Sequence, residues 1–314
     1  MEFRTIVPIE KNVLQIDYNS KIVSFGSCFA SNMASKFDFY KFENLCNPFG
    51  IIFNVVSIEK IVNRIANLDY FTADDVFQNN GLWHCYEVHS CLSNADKYEF
   101  IAFLNQKLVE SHLYLKSATT FIITLGTSWV YELKQSKTVV ANCHKMPQNL
   151  FVKSLLTGEE NAISLRNIIT KIQEINPNVK FTCTISPVRH TKDGFYENNV
   201  SKSHLFTAIY GVTNTKLATY FPSYEIIMDE LRDYRFYASD LLHPNETAIN
   251  YIWERFTETQ LSEETSDTIN NVENIQKMLL HRHQNTQSVD YEVFNKKLIA
   301  KIAKLQAIYP MIKF

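Results

Sequence analysis

Apolar positions along this chain fall into two alternating patterns. Short continuous runs come first: Lys21–Phe25 ending in Gly26, Phe121–Leu125 ending at Gly126, Phe181–Ile185 ending at Ser186-Pro187, and Tyr224–Met228 entering Asp229. Each has the length of a strand buried on both faces. Between them, Ile58–Leu68, Lys97–His112, Ala162–Ile175 and Ser203–Tyr220 carry apolar residues at three- and four-residue spacing, and Ala30–Phe37 follows the first run with good helix formers. These segments read as helices. Strands alternating with helices predict an α/β fold with a parallel sheet covered on both faces.

Beyond Ile249 the pattern changes. Glu254–Asn271 is rich in Glu, Thr, Ser and Asn, the chain turns helical again from Val272, and Lys296–Ile308 predicts an amphipathic terminal helix. The expected organisation is a main domain over residues 1–255 and a helical extension over 256–314 packed on it, with a partner-binding or dimerisation arm as the alternative. No internal repeat or low-complexity linker interrupts the chain.

Composition narrows the classes. With 314 residues and 46% hydrophobic content the chain supports a sizeable core. Its net charge of −2, from 31 basic and 33 acidic residues, gives no global field for nucleic acid or anionic lipid. The stretch Met1–Pro8 has no basic segment followed by an apolar one, and no later stretch approaches a spanning helix, so the expectation is a cytoplasmic protein without nucleic-acid or membrane partners. Six scattered cysteines without a C-x-x-C pair suit reduced thiols. His84, Cys85, His89 and Cys91 have metal-ligand chemistry at a spacing that fits no standard zinc pattern, so neither metal nor cofactor is expected.

The chemistry-bearing residues gather at predicted strand ends. Gly26-Ser27, Gly126-Thr127-Ser128 and Ser186-Pro187 each follow a strand, where parallel sheets bind ligands. Far downstream, Asp240-Leu241-Leu242-His243-Pro244 supplies a carboxylate and an imidazole three residues apart. A serine hydroxyl needs a base and a group to orient that base, and Ser27, His243 and Asp240 offer all three. Taken singly, Ser27 reads as a helix cap and His243 as a surface histidine.

The run Gly26-Ser27-Cys28-Phe29-Ala30 resembles the signature of the GSCFA family, a branch of the SGNH/GDSL hydrolase-like superfamily. Further blocks resemble the family in order: Asn47–Ile51, Leu125–Tyr131, Asn142–Pro147, Ser186–His190, Ser201–Ser203 and Tyr237–Pro244. The resemblance implies a three-layer α/β/α flavodoxin-like sheet of about five parallel strands, a nucleophile in the first block, and catalytic Asp240 and His243 in the last. Two registers stay open. Ser27 is the preferred nucleophile by its place after Gly26, whereas a strict overlay on the superfamily's G-D-S puts Cys28 there, a thiolate-type nucleophile that His243 would activate. Under the serine register Cys28 contributes its backbone N–H to the oxyanion site, beside the Gly50 N–H. Ser128 stands where the superfamily has an asparagine, which predicts a weaker or rearranged oxyanion hole.

His144, Arg189 and His190 on loops, Trp129 after the third block, and Asn47 complete the expected substrate pocket. Arg189 suits a carboxylate or phosphate by its planar fork, and Trp129 with Tyr131 suits the floor of a sugar cleft. The expected activity is a serine esterase or acyltransferase on O-acyl groups of a small molecule or carbohydrate, with acetylated glycans suggested by superfamily analogy. The alternative is a catalytically degenerate binding protein of the same fold, favoured by a buried, capped Ser27 pointing away from His243.

Overall fold

The computed structural model describes residues 4–12, 15–282 and 288–314. The start at Met1–Phe3 and residues 283–287, within the stretch expected to be helical from Val272, lie outside the described residues. In chain order the strands are β1 (Lys21–Gly26), β2 (Glu43–Cys46), β3 (Phe77–Asn79), β4 (Leu82–His84), β5 (Thr120–Leu125), β6 (Trp129–Leu133), β7 (Thr138–Val140), β8 (Phe151–Leu155), β9 (Lys180–Ile185) and β10 (Thr219–Tyr220). The main helices are α1 (Cys28–Phe39), α2 (Val55–Asn67), α3 (Lys97–Ser117), α4 (Gly158–Ile175), α5 (Phe195–Asn214), α6 (Glu246–Gln260), α7 (Thr265–Leu280) and α8 (Val289–Ile308).

Five strands form one parallel sheet in the order β10-β9-β5-β1-β2. Counted along the chain this is the flavodoxin-like order 2-1-3-4-5, whose direction of winding reverses between β1 and β5. Alternation along the central strands divides the core. Val23, Phe25, Phe121 and Ile123 pack with α2, α3, α4 and α5, while Ile22 and Ile122 point to the other face. That second face is covered by α1 and the C-terminal helices, through Phe29, Phe37, Trp253, Phe256, Val272 and Leu298. The result is a three-layer α/β/α fold.

The C-terminal helices make much of this second layer. The division expected after residue 255 falls inside α6, whose Phe256 meets Phe37 edge-on with ring centroids 5.7 Å apart. Burying one such aromatic side chain contributes on the order of 2 kcal/mol.

Two local readings change, and two elements are new. Tyr224–Met228 is helical rather than extended, with Ser223–Glu225 in an α turn and Ile226–Glu230 in a π turn. A short apolar run is compatible with either state, and the preceding Pro222 favours entry into a helix over continuation of a ladder. The helix expected over Ser203–Tyr220 begins earlier, at Phe195, and ends at Asn214, which leaves Thr219–Tyr220 to form the edge strand β10. Strand β2 at the opposite edge carries no continuous apolar run and is only partly buried. Finally, an antiparallel sheet ordered β7-β6-β8 is inserted between β5 and α4, and it builds a wall beside the strand ends.

Candidate active site

The turn that carries Ser27 and Cys28 lies where β1 feeds α1, at the point where the sheet reverses direction. Gly26 has φ +141°, and a Cβ there would lie 2.1 Å from the Thr124 carbonyl oxygen. Only glycine fits so close to the neighbouring strand. Ser27 then donates its N–H to Thr124 O at 3.0 Å and caps α1, its Oγ accepting from the Phe29 N–H at 3.3 Å. Its 1% exposure takes it out of the cleft. Cys28, the first residue of α1, lines the cleft instead. Burial raises its thiol pKa, while the N–H groups of Phe29 and of Cys28 itself, and the charge of Lys202, pull it down.

Across the cleft, Asp240 to His243 form a locked loop. Asp240 Oδ1 accepts the N–H groups of Leu242 and His243, both at 3.0 Å, and Oδ2 accepts from His243 Nδ1 at 2.6 Å. These bonds, led by the His243 N–H, hold the Asp240 carboxyl down at about 2. Leu241 adopts φ +58°, a strained conformation for leucine. Arg189 steadies it by donating Nη2 to Leu241 O at 3.0 Å. Nδ1 of His243 is committed to Asp240, and no hydrogen bond is made by its Nε2 among the described residues.

The cleft holds about 530 Å³ and brings Cys28, His243, Asn54, Thr127, Trp129 and His190 to one surface. Asn54 caps α2, with Oδ1 accepting from the Ser57 N–H at 2.8 Å, and its Nδ2 has no protein partner among the described residues. His190 stands edge-on to Phe53 at 5.6 Å and beside Gly126, where a Cβ would lie 3.3 Å from its Nε2. Burial, then the Lys202 charge, lowers His190 to about 4, so it is a neutral imidazole at physiological pH. Lys153 lies over the Trp129 ring at 4.5 Å and pairs with Asp193, joining the inserted sheet to the loop after β9.

Several expected site residues serve the scaffold. Asn47 accepts the Gly26 N–H at 2.8 Å and donates to Ser31 Oγ at 3.2 Å, so it shapes the turn under the cleft. The Gly50 N–H is spent on Asn47 O at 2.8 Å, and its Cα sits under His89. Ser128 is fully buried, its N–H donating to Ser201 Oγ and its hydroxyl to Ser201 O, so it faces α5 rather than an oxyanion. His144 is buried with Nε2 against Cys85 O at 2.7 Å and its ring 4.7 Å from that of His84. His84 in turn bonds Ser93 Oγ and Asn79 O. Trp129, Arg189 and His190 do line the cleft.

The model of the GSCFA family matches residues 21–256, three quarters of the chain. The chain belongs to the GSCFA family. No curated protein matches its sequence. The matched region takes in β1 through most of α6, and so contains every cleft residue named above.

Two residues were not singled out by the sequence reading, although Lys202 lies within the Ser201–Ser203 block. Asn54 announces itself only as a cap before an apolar helical run, which it is, and its place in the cleft lining comes from the fold. Lys202 carried a readable signal. It falls in helical phase with Leu205, Ile209 and Val212 on the buried stripe of α5, where a lysine is out of place.

Proposed function

We propose that this GSCFA protein is an SGNH-like acyl hydrolase or acyltransferase acting on O-acyl groups, with Cys28 in place of Ser27 as its nucleophile. The observation that carries the reading is the pairing of Cys28, at the first position of α1, with the Asp240-oriented His243 on the same accessible cleft. In the reaction His243 Nε2 takes the thiol proton as Sγ attacks the ester carbonyl. The tetrahedral oxyanion is met by the Cys28 N–H and by Asn54 Nδ2, the positive end of α1 adding to the field. Collapse breaks the C–O bond, His243 returns the proton to the departing alcohol, and a thioester remains on Cys28. Water, or a second hydroxyl in a transferase, then attacks that thioester with His243 as base, freeing the thiol. Asp240 keeps the imidazole in the required tautomer throughout.

Trp129 and Tyr131 on the inserted sheet, with Val140 and Val188, give the cleft an apolar wall suited to an acyl chain or to the face of a sugar. A ligand-binding role without turnover is favoured by two observations: Ser27 is buried as the cap of α1, out of the cleft, and no hydrogen bond joins Cys28 and His243 among the described residues. Hydrolysis of p-nitrophenyl esters of increasing chain length separates the readings. The wild type is expected to turn over at least one ester and Cys28→Ala and His243→Ala to lose about a thousandfold or more in kcat/KM. Retention of activity in Cys28→Ala would overturn the thiol mechanism, and a wild type that binds esters without releasing alcohol would favour the binding role.

A further inference from the structure

A second cavity opens beside the cleft, and one side chain lines both. It holds about 340 Å³, and its walls include Arg189, Met228, Arg232, Asp233, Tyr234 and Tyr237. Arg189 also lines the cleft that holds Cys28 and His243, so the two spaces meet at its side chain. The guanidinium is held in place: Nη2 donates to Leu241 O at 3.0 Å, and Cζ lies 5.3 Å from the centroid of the Tyr237 ring. Little of its hydrogen-bonding capacity is used. A guanidinium carries donors on every nitrogen, yet the bond to Leu241 is the one Arg189 makes among the described residues, and its Nε is buried without an acceptor. A donor taken from water and left unmet is costly, which favours a site that an acceptor completes. The carboxylates in these walls are already paired. Asp233 accepts the Arg235 N–H at 2.8 Å and the Arg235 Nη2 at 3.0 Å, and Asp193 on the cleft side pairs with Lys153. Arg232 makes no hydrogen bond or ion pair among the described residues. The cavity therefore presents two cations, Arg189 and Arg232, that no protein carboxylate neutralises.

We propose that this cavity is an anion subsite of the cleft, taking a carboxylate or phosphate carried by the alcohol half of the ester, so that the substrate class is an acylated anionic alcohol. The inference rests on the acyl-transfer reading above. In that reaction the departing alcohol takes its proton from His243, so it lies on the His243 side of the cleft. That side is the one tied to the second cavity. Arg189 grips Leu241 O, and Ala238, next to Tyr237, donates its N–H to His243 O at 2.7 Å. The acyl half is left to the apolar wall of Trp129, Tyr131 and Val140, built by the inserted sheet. An oxyanion with two acceptor atoms matches the parallel N–H groups along a guanidinium edge, a fit that a lysine would not give. Arg232 adds a second charge from just beyond the π turn, and the Tyr234 and Tyr237 rings, 5.7 Å apart, give the subsite an aromatic wall.

The test titrates the wild type and Arg232→Gln with glycerate, glycerol 3-phosphate and uncharged glycerol by calorimetry at fixed ionic strength. Arg232 is exposed and bonds nothing among the described residues, so its replacement is expected to fold. At least one anion is expected to bind the wild type about tenfold or more tightly than glycerol does, and Arg232→Gln to weaken it about fivefold. The tighter of the two tells a carboxylate from a phosphate. Anions that bind no better than glycerol, or equally well to both proteins, would sink the subsite. Its placement is read from turnover. The O-acetyl ester of the tighter anion is expected to show a KM about tenfold below that of monoacetylglycerol, whereas p-nitrophenyl hemisuccinate, charged on its acyl half, gains nothing over p-nitrophenyl butyrate. A gain for the hemisuccinate instead would put the anion on the acyl half and overturn the assignment. The titration uses no ester, so anion binding that depends on Arg232, in a protein that turns over no ester, would defeat the acyl-transfer reading and leave the anion site standing.

Discussion

At the scale of single residues, two neighbours with similar side chains have opposite fates. Ser27 and Cys28 differ by one step along the chain, but that step crosses the boundary between a cap and the first helical residue. The cap's hydroxyl turns inward to the Phe29 N–H, and the next side chain projects over the helix N-terminus. Ser27→Ala is therefore expected to retain most of the ester turnover proposed for Cys28 while losing about 1 kcal/mol of stability, measured by denaturant unfolding. Asn54 allows a cleaner separation, because its Oδ1 caps α2 while the residue also lines the cleft. Asn54→Asp keeps a good cap and removes the donor. It is expected to lower kcat by roughly a hundredfold with little change in the unfolding midpoint. An equal loss of kcat and stability would assign Asn54 to the scaffold alone.

At the scale of elements, the β1–α1 junction and the Asp240–His243 loop place the chemistry by different means. The junction depends on close approach of two strands, and Gly26→Ala would force a Cβ onto the Thr124 carbonyl at a φ that L residues rarely adopt. The expected loss is roughly 3 kcal/mol or more, seen as a lowered melting temperature or as failure to accumulate folded protein. The loop, by contrast, is built almost wholly from its own residues, which is why Asp-x-x-His was readable in the sequence. Its outside support is Arg189, reaching Leu241 O from the loop after β9. Long periodic helices were legible for the same reason: α2, α3 and α4 bury one face at helical spacing. The edge strands β2 and β10 were not, since an edge strand needs neither length nor an unbroken apolar run when its neighbour supplies the ladder.

For the whole molecule, the buried imidazoles set the response to acid. His144 and His190 are both lowered to about 4, chiefly by burial, from an ordinary value near 6.5. Between those values the unfolded chain binds more protons than the folded one, so stability falls as pH drops through that window. The histidine contribution to the melting temperature is expected to be flat above about pH 6.5 and to decline steadily toward pH 4, and His144→Gln should flatten part of that decline. A melting temperature indifferent to pH between 6.5 and 4 would contradict the burial of these rings. Lys202 acts in the same sense at higher pH: its lowered value means that stability rises from about pH 7 toward 10.5, and Lys202→Met removes that slope. No described helix is long and apolar enough to cross a membrane.

What the sequence determined by itself was whatever is local or periodic: the alternation of buried strands with amphipathic helices, the parallel sheet it implies, the ordered family blocks, and the Asp240–His243 pair whose bonds close within four residues. Which polar groups face the cleft depended on contacts between distant segments. Ser128 and Gly50 carried the right chemistry for an oxyanion, but Ser201 and Asn47, distant in sequence or folded back beside them, consume their hydrogen bonds. Asn54 became notable because its neighbours leave an N–H unspent. A hydrogen-bonding group is available to a ligand only after the fold has settled its internal partners, and those partners are set by contacts that no short window of sequence contains.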